Sequence, residues 1–137
     1  MGESKTLKTN YVLIDHENIQ PKNLSLLTDE CFQIYVFVGF EQKCLNTDLV
    51  DAMHKIGPKR SQYIHITQTR KNALDFYITY YLGTLTQEHP KAYFHIISKD
   101  KGFDPLIEHL TTNGFHVNRR DTVADIPVLH ISQNAEY

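Results

Sequence analysis

Short apolar runs alternate with longer amphipathic ones along the chain, the pattern of a parallel sheet covered by helices. Residues 11–15 and 32–40 have the apolar density of strands buried on both faces, and 21–29 leaves room for one short helix between them. Residues 45–56 then read as an amphipathic helix closed by Gly57-Pro58, and 63–67 as a third strand. A longer helix over 72–86, a fourth strand over 92–98, a helix over 104–113 ended by Gly114 and a short fifth strand over 115–118 complete the alternation. Residues 126–131 suit either an edge strand or a segment packed on the body. Crossovers of these lengths are right-handed, so the expected fold class is α/β: a three-layer α/β/α sandwich around a mostly parallel sheet of about five strands. With no repeat or linker, the expected organisation is an N-terminal extension over 1–10, a single domain over 11–131 and a tail over 132–137.

At 137 residues the chain has one domain's worth of length, and 41% hydrophobic with 22% charged residues excludes a disordered or fibrous chain. A chain of this size buries enough surface to fold without a disulfide or metal staple. Cys31 and Cys44 are isolated and outside any CxxC spacing, so they read as reduced thiols. No apolar run approaches the roughly 18 residues of a membrane span, and the opening MGESKTLKTN lacks the apolar stretch of a signal peptide. The expectation is a cytoplasmic protein with no membrane partner. Fourteen Lys and Arg against sixteen Asp and Glu give a net charge of −2, which argues against a simple basic clamp on nucleic acid.

Where the acids fall changes that picture. In an open parallel sheet, ligands bind beyond the carboxyl ends of the strands. Asp15 ends the Tyr11-Val12-Leu13-Ile14 run, and Asp100 lies just past the fourth strand in Ser98-Lys99-Asp100-Lys101-Gly102-Phe103-Asp104. Asp104 precedes Pro105, so it also reads as an ordinary helix N-cap. Asp75 lies in a helix that is apolar or aromatic almost all round, where an unpaired charge is costly. Its row, Asn72, Asp75, Thr79, Gly83 and Thr86, is small and polar, and faces either solvent or the catalytic edge. Were Asp15, Asp75, Asp100 and Asp104 to converge, their repulsion would demand counter-charge, and oxygen-only ligation suits Mg²⁺ or Mn²⁺. Such an ion supports in-line attack of water on a phosphodiester. His16 and Glu17 sit beside Asp15 to orient water or substrate, while Asn18 and Ser98 are placed to fix the carboxylates. Arg70, Lys71, Lys99 and Lys101 lie in loops at the same edge and are candidate phosphate contacts. The other histidines are scattered, and Tyr77, Tyr80 and Tyr81 read as helix packing. Without the four proposed ligands, twelve acids face fourteen bases, so the rest of the surface is mildly basic.

Three motifs, YVLIDHENI, KNALDFYITYYLG and FHIISKDKGFDPLIEHL, occur in order over residues 11–118. Through them the sequence resembles the PIN-like ribonucleases, most closely their NYN-type branch. The resemblance implies a Rossmann-like domain in which Asp15, Asp75, Asp100 and Asp104 coordinate Mg²⁺ or Mn²⁺ for endoribonucleolytic cleavage of RNA. It also implies supporting roles for Asn18 and Ser98, and Asn72 joins them as a candidate; Glu17 in DHEN departs from the family pattern. RNA is the implied partner, with a homodimer and a regulatory protein partner left open. Two alternatives stand beside this reading: a phosphatase of the haloacid dehalogenase type using Asp15, and an inactive PIN-like module that binds RNA or protein. A receiver domain is excluded, because its phosphoacceptor Asp should end the third strand, where this chain has Thr67.

Overall fold

The computed structural model describes residues 8–68 and 72–127. Five strands, β1 (Asn10–Asp15), β2 (Phe32–Val38), β3 (Ser61–His65), β4 (Tyr93–Ile97) and β5 (His116–Arg120), form one sheet in the order β3-β2-β1-β4-β5. Every pairing is parallel. Central β1 is buried at all six positions, as its near-continuous apolar run requires. The helices are α1 (Thr47–Ile56), α2 (Ala73–Glu88) and α3 (Asp104–Thr112).

Alternation along the strands splits the core in two. Val12, Ile14, Ile34 and Val36 pack with Leu24, Leu27 and the α1 residues Leu49, Ala52 and Met53. Tyr11, Leu13, Phe37, Phe94 and Ile96 pack with the α2 residues Leu74, Ile78, Leu82 and Leu85. Helices therefore cover both faces, giving the expected sandwich. The chain runs β1, β2, β3 to one side, then crosses back through α2 to β4 on the other side of β1. Strand order thus reverses between β1 and β4, which opens a crevice at their carboxyl ends.

Local chemistry sets the element ends. Asn46 caps α1, its side chain accepting from the Asp48 N–H at 2.7 Å, and Gly57 closes the helix at φ 93°. The Arg60 guanidinium ties the far end of the sheet, donating to the carbonyls of Thr28 and Asp29 at 3.1 and 2.7 Å.

Most element ends shift by one or two residues from the sequence expectation, and the larger differences have physical reasons. The helix expected over 21–29 is only a 3-10 turn, Leu24–Leu27. Left-handed Asn23 blocks extension at one end, and only Leu24 and Leu27 are buried, at the three-residue period of a 3-10 turn. The third strand lies two residues earlier than 63–67, because its partner β2 ends at Val38, opposite His65. Strand β5 continues past 118 to Arg120, and this extension brings Arg119 into the site described below. In the tail, Ile126 is buried, while residues 128–131 of the expected segment lie outside the described residues. Among the described residues no helix is long and apolar enough to cross a membrane.

Cys31 and Cys44 are both free. Burial, and then the neighbouring Asp29 carboxylate, pushes the Cys31 thiol up to about 12, so it is an inert thiol at neutral pH.

The two-core packing makes a direct stability forecast. Leu82→Ala, at a position with no exposure, lowers unfolding free energy by about 2–5 kcal/mol. Val50→Ala, 42% exposed on α1, changes it by less than about 0.5 kcal/mol in the same chemical denaturation.

Candidate active site

Asp15 ends β1 at the crevice and is fully buried. Its parity is that of Tyr11 and Leu13, so its carboxylate faces the α2 side of the sheet. Asp15 Oδ2 accepts from the Ser98 hydroxyl at 2.7 Å and from Asn18 Nδ2 at 2.6 Å. The Asn18 N–H donates to Oδ1 at 3.3 Å. Ser98, the residue after β4, in turn accepts from the Asp100 N–H at 3.0 Å. One hydroxyl thus links the ends of both strands and fixes the spacing of two acids.

Asp100 opens a 3-10 turn, Lys101–Phe103, with its Oδ1 accepting from the Gly102 N–H at 2.8 Å. That turn leads straight into α3. Asp75 comes from the first turn of α2, which starts after Asn72 in a left-handed conformation, φ 62°. Asn72, Asp75, Phe76, Thr79 and Asp100 line one open cleft of about 350 Å³. Partial burial pushes the Asp75 carboxyl up to about 6, with repulsion from Asp100, Asp15 and Glu17 adding to the shift.

Glu17 is also raised, by burial first and then by Asp15 and Glu41. Its side chain lies over Gly39, where a Cβ would overlap the Glu17 carboxylate. Any larger residue at 39 would displace Glu17 from the edge.

Asp104 stands differently. Its Oδ1 accepts from Arg119 Nε at 2.9 Å, and the same guanidinium binds Asp121 Oδ1 at 2.9 Å and the Ser98 carbonyl at 3.0 Å. Asp104 also occupies the first turn of α3 with Pro105 beside it. Arg119 occupies only Oδ1, so Asp104 Oδ2 is left with no protein donor among the described residues.

His16, expected beside Asp15, is carried to the other face of the sheet by the two-residue alternation. It is 2% exposed, neither ring nitrogen has a hydrogen-bond partner, and it lines a cavity of about 520 Å³ with Leu24, Leu49 and Ala52. Lys99 and Lys101 are exposed on either side of Asp100, whereas Arg70 and Lys71 lie outside the described residues. Sequence reasoning missed Arg119, Gly39 and Gln42. Gln42 accepts from the Gly39 N–H at 2.8 Å and donates to the His16 carbonyl at 3.0 Å, bracing the loop that carries Glu17. No local motif announces any of these three.

The donors are oxygens only, mutually repelling, which fits a hard divalent cation. Among the described residues, however, no three His, Cys, Asp or Glu side chains close into a group that could hold a metal ion. Asp15, Asp75 and Asp100 sense one another across the cleft without meeting at one point.

A family model described as a PIN domain matches residues 9–120. The match is at the level of the PIN domain and does not single out the NYN-type branch. No curated protein and no solved structure matches the chain.

The Asp75 shift fixes a pH dependence. Because its folded pKa is raised from 3.8 to about 6, its favourable contribution is complete below the unfolded value and is lost as pH rises through 6. Carboxyl carbon NMR is expected to give an Asp75 midpoint near 6, lowered by Asp100→Asn. Asp75→Asn should flatten the fall in stability across that window in metal-free buffer; an ordinary midpoint for Asp75 would contradict the described repulsion.

Proposed function

The chain belongs to the PIN-domain family, and we propose that it is a metal-dependent endoribonuclease acting at the crevice between β1 and β4. The observation that carries this reading is geometric: β1, α2 and the turn after β4 bring Asp15, Asp75 and Asp100 to one edge, where burial and then their mutual repulsion raise the Asp75 carboxyl. Asp15, Asp75 and Asp100 would hold the cation, with Asp104 joining through its second oxygen and Glu17 beside them. Mg²⁺ or Mn²⁺ there supplies charge neutralisation and a more acidic bound water.

The chain's own residues do the positioning. Ser98 and Asn18 hold both oxygens of Asp15 in a fixed orientation. Gly102 and Ser98 together set the turn that presents Asp100. Arg119 clamps Asp104, Asp121 and the Ser98 carbonyl, and so holds the base of that turn. Lys99 and Lys101, exposed beside Asp100, would take phosphates flanking the scissile one, with Arg70 and Lys71 proposed for the same task. RNA is then the partner, and the cytoplasm the proposed compartment.

The phosphatase alternative uses Asp15 as its nucleophile and leaves Asp75, brought to the same edge by α2 and raised by burial and then by its acidic neighbours, without a role. The inactive-module alternative draws on the failure of the carboxylates to close around one point. Cleavage assays separate the two remaining readings. The protein should cut single-stranded RNA with Mn²⁺ or Mg²⁺ and lose this in EDTA, and Asp100→Asn should slow cutting by at least about 100-fold. Cutting by Asp100→Asn at the parent rate would sink the enzymatic reading, and binding without cutting would support the module.

A further inference from the structure

Two large aromatic side chains lie bare one helical turn apart on α2. Phe76 is 70% exposed and Tyr80 67%. Four residues of helix advance about 6 Å, so the two rings make a stripe. The sequence places Tyr80 and Tyr81 together as packing residues, but the helix separates them. Tyr81 turns inward, its ring edge-on to Phe37 at 5.3 Å, and Tyr80 stands outward against Tyr81 with ring centroids 5.5 Å apart. Packing therefore braces the Tyr80 ring upright. Exposure of this much aromatic surface forgoes the gain of burying it, which calls for an occupant.

The location says which occupant. Phe76 lines the same cleft as Asp75, Asp100, Asn72 and Thr79, and Tyr80 follows it one turn further along the exposed side of α2. Lys99 and Lys101 flank Asp100, both exposed, with no ion pair among the described residues. An exposed aromatic ring in the lining of a cleft whose Asp100 is flanked in sequence by two exposed lysines matches a strand that carries flat bases on an anionic backbone. A second copy of the chain fits less well, since docking there would bring the Asp75 and Asp100 carboxylates of both copies into a desolvated interface.

We infer that Phe76 and Tyr80 form a stacking platform for unpaired bases of single-stranded RNA, with Lys99 and Lys101 taking its phosphates as the strand enters the Asp75–Asp100 cleft. The inference rests on the ribonuclease reading and adds that the substrate is recognised through unpaired bases. Stacking is tolerant of base identity, so the platform selects single strands over duplex rather than one sequence over another.

The test is fluorescence anisotropy on the full chain in metal-free buffer. The probes are a single-stranded RNA of about 12 nucleotides and an abasic ribose-phosphate strand of equal length. Combined Phe76→Ala and Tyr80→Ala should weaken RNA binding about 10- to 100-fold and leave abasic binding unchanged. Phe76→Trp with Tyr80→Phe should keep RNA binding, and Phe76→Leu with Tyr80→Leu should not restore it. Equal RNA binding by the double Ala variant overturns the platform, as does full rescue by Leu. A dimer that the double Ala variant dissociates without loss of RNA affinity assigns the face to a second copy and overturns it too. If the parent cuts RNA but the variants bind it alike, only the platform fails. If binding follows the rings but no metal supports cutting, only the nuclease reading fails.

Discussion

The buried Asp15 carboxylate is the constraint around which the site is built. A carboxyl group without solvent contact is tolerable only when its oxygens are hydrogen-bonded. Ser98 and Asn18 supply those bonds, and Ser98 reaches Asp15 across the point where strand order reverses. Because the same hydroxyl accepts from the Asp100 N–H, satisfying one buried acid also places a second. Remove that link and the backbone ladder still joins β1 to β4, but the two acids lose the hydroxyl they share.

Asp75 completes the arrangement from the opposite direction. It arrives on α2, the crossover that carries the chain back over the sheet, and meets the field of Asp15, Glu17 and Asp100. The fold bears this repulsion because α2 is anchored elsewhere, by Leu74, Ile78, Leu82 and Leu85 in the core. A strained charge cluster on a rigid scaffold is the usual form of a functional site, where local cost is offset by packing at a distance. Arg119 fixes Asp104 at the margin of this cluster through one carboxylate oxygen.

Much of this was legible in the sequence because parallel sheets advertise themselves. The dense apolar runs located β1, β2 and β4, and with them the edge where Asp15 and Asp100 lie. The edge strand β3 was harder, since its outer residues Gln62, Tyr63 and His65 are exposed and the apolar signal is weak. The turn over Leu24–Leu27 and the extension of β5 depend on pairing and burial partners far along the chain, which no local window contains. The ion pair from Arg119 to Asp104 followed from that missed extension. His16 and Asp15 are neighbours in sequence and on opposite faces in space, a separation that strand alternation dictates once the strand is known to end there.

The central claim is that the carboxylates at this edge are poised for a divalent cation and that Asp75 is among those it meets. Isothermal titration calorimetry with Mg²⁺ or Mn²⁺, run at pH 6 and pH 8 in two buffers of different ionisation enthalpy, tests it most directly. With Asp75 near 6, saturable binding at the lower pH should release about half a proton per ion, and at the higher pH almost none. No saturable binding, or binding at pH 6 without proton release, would contradict the account.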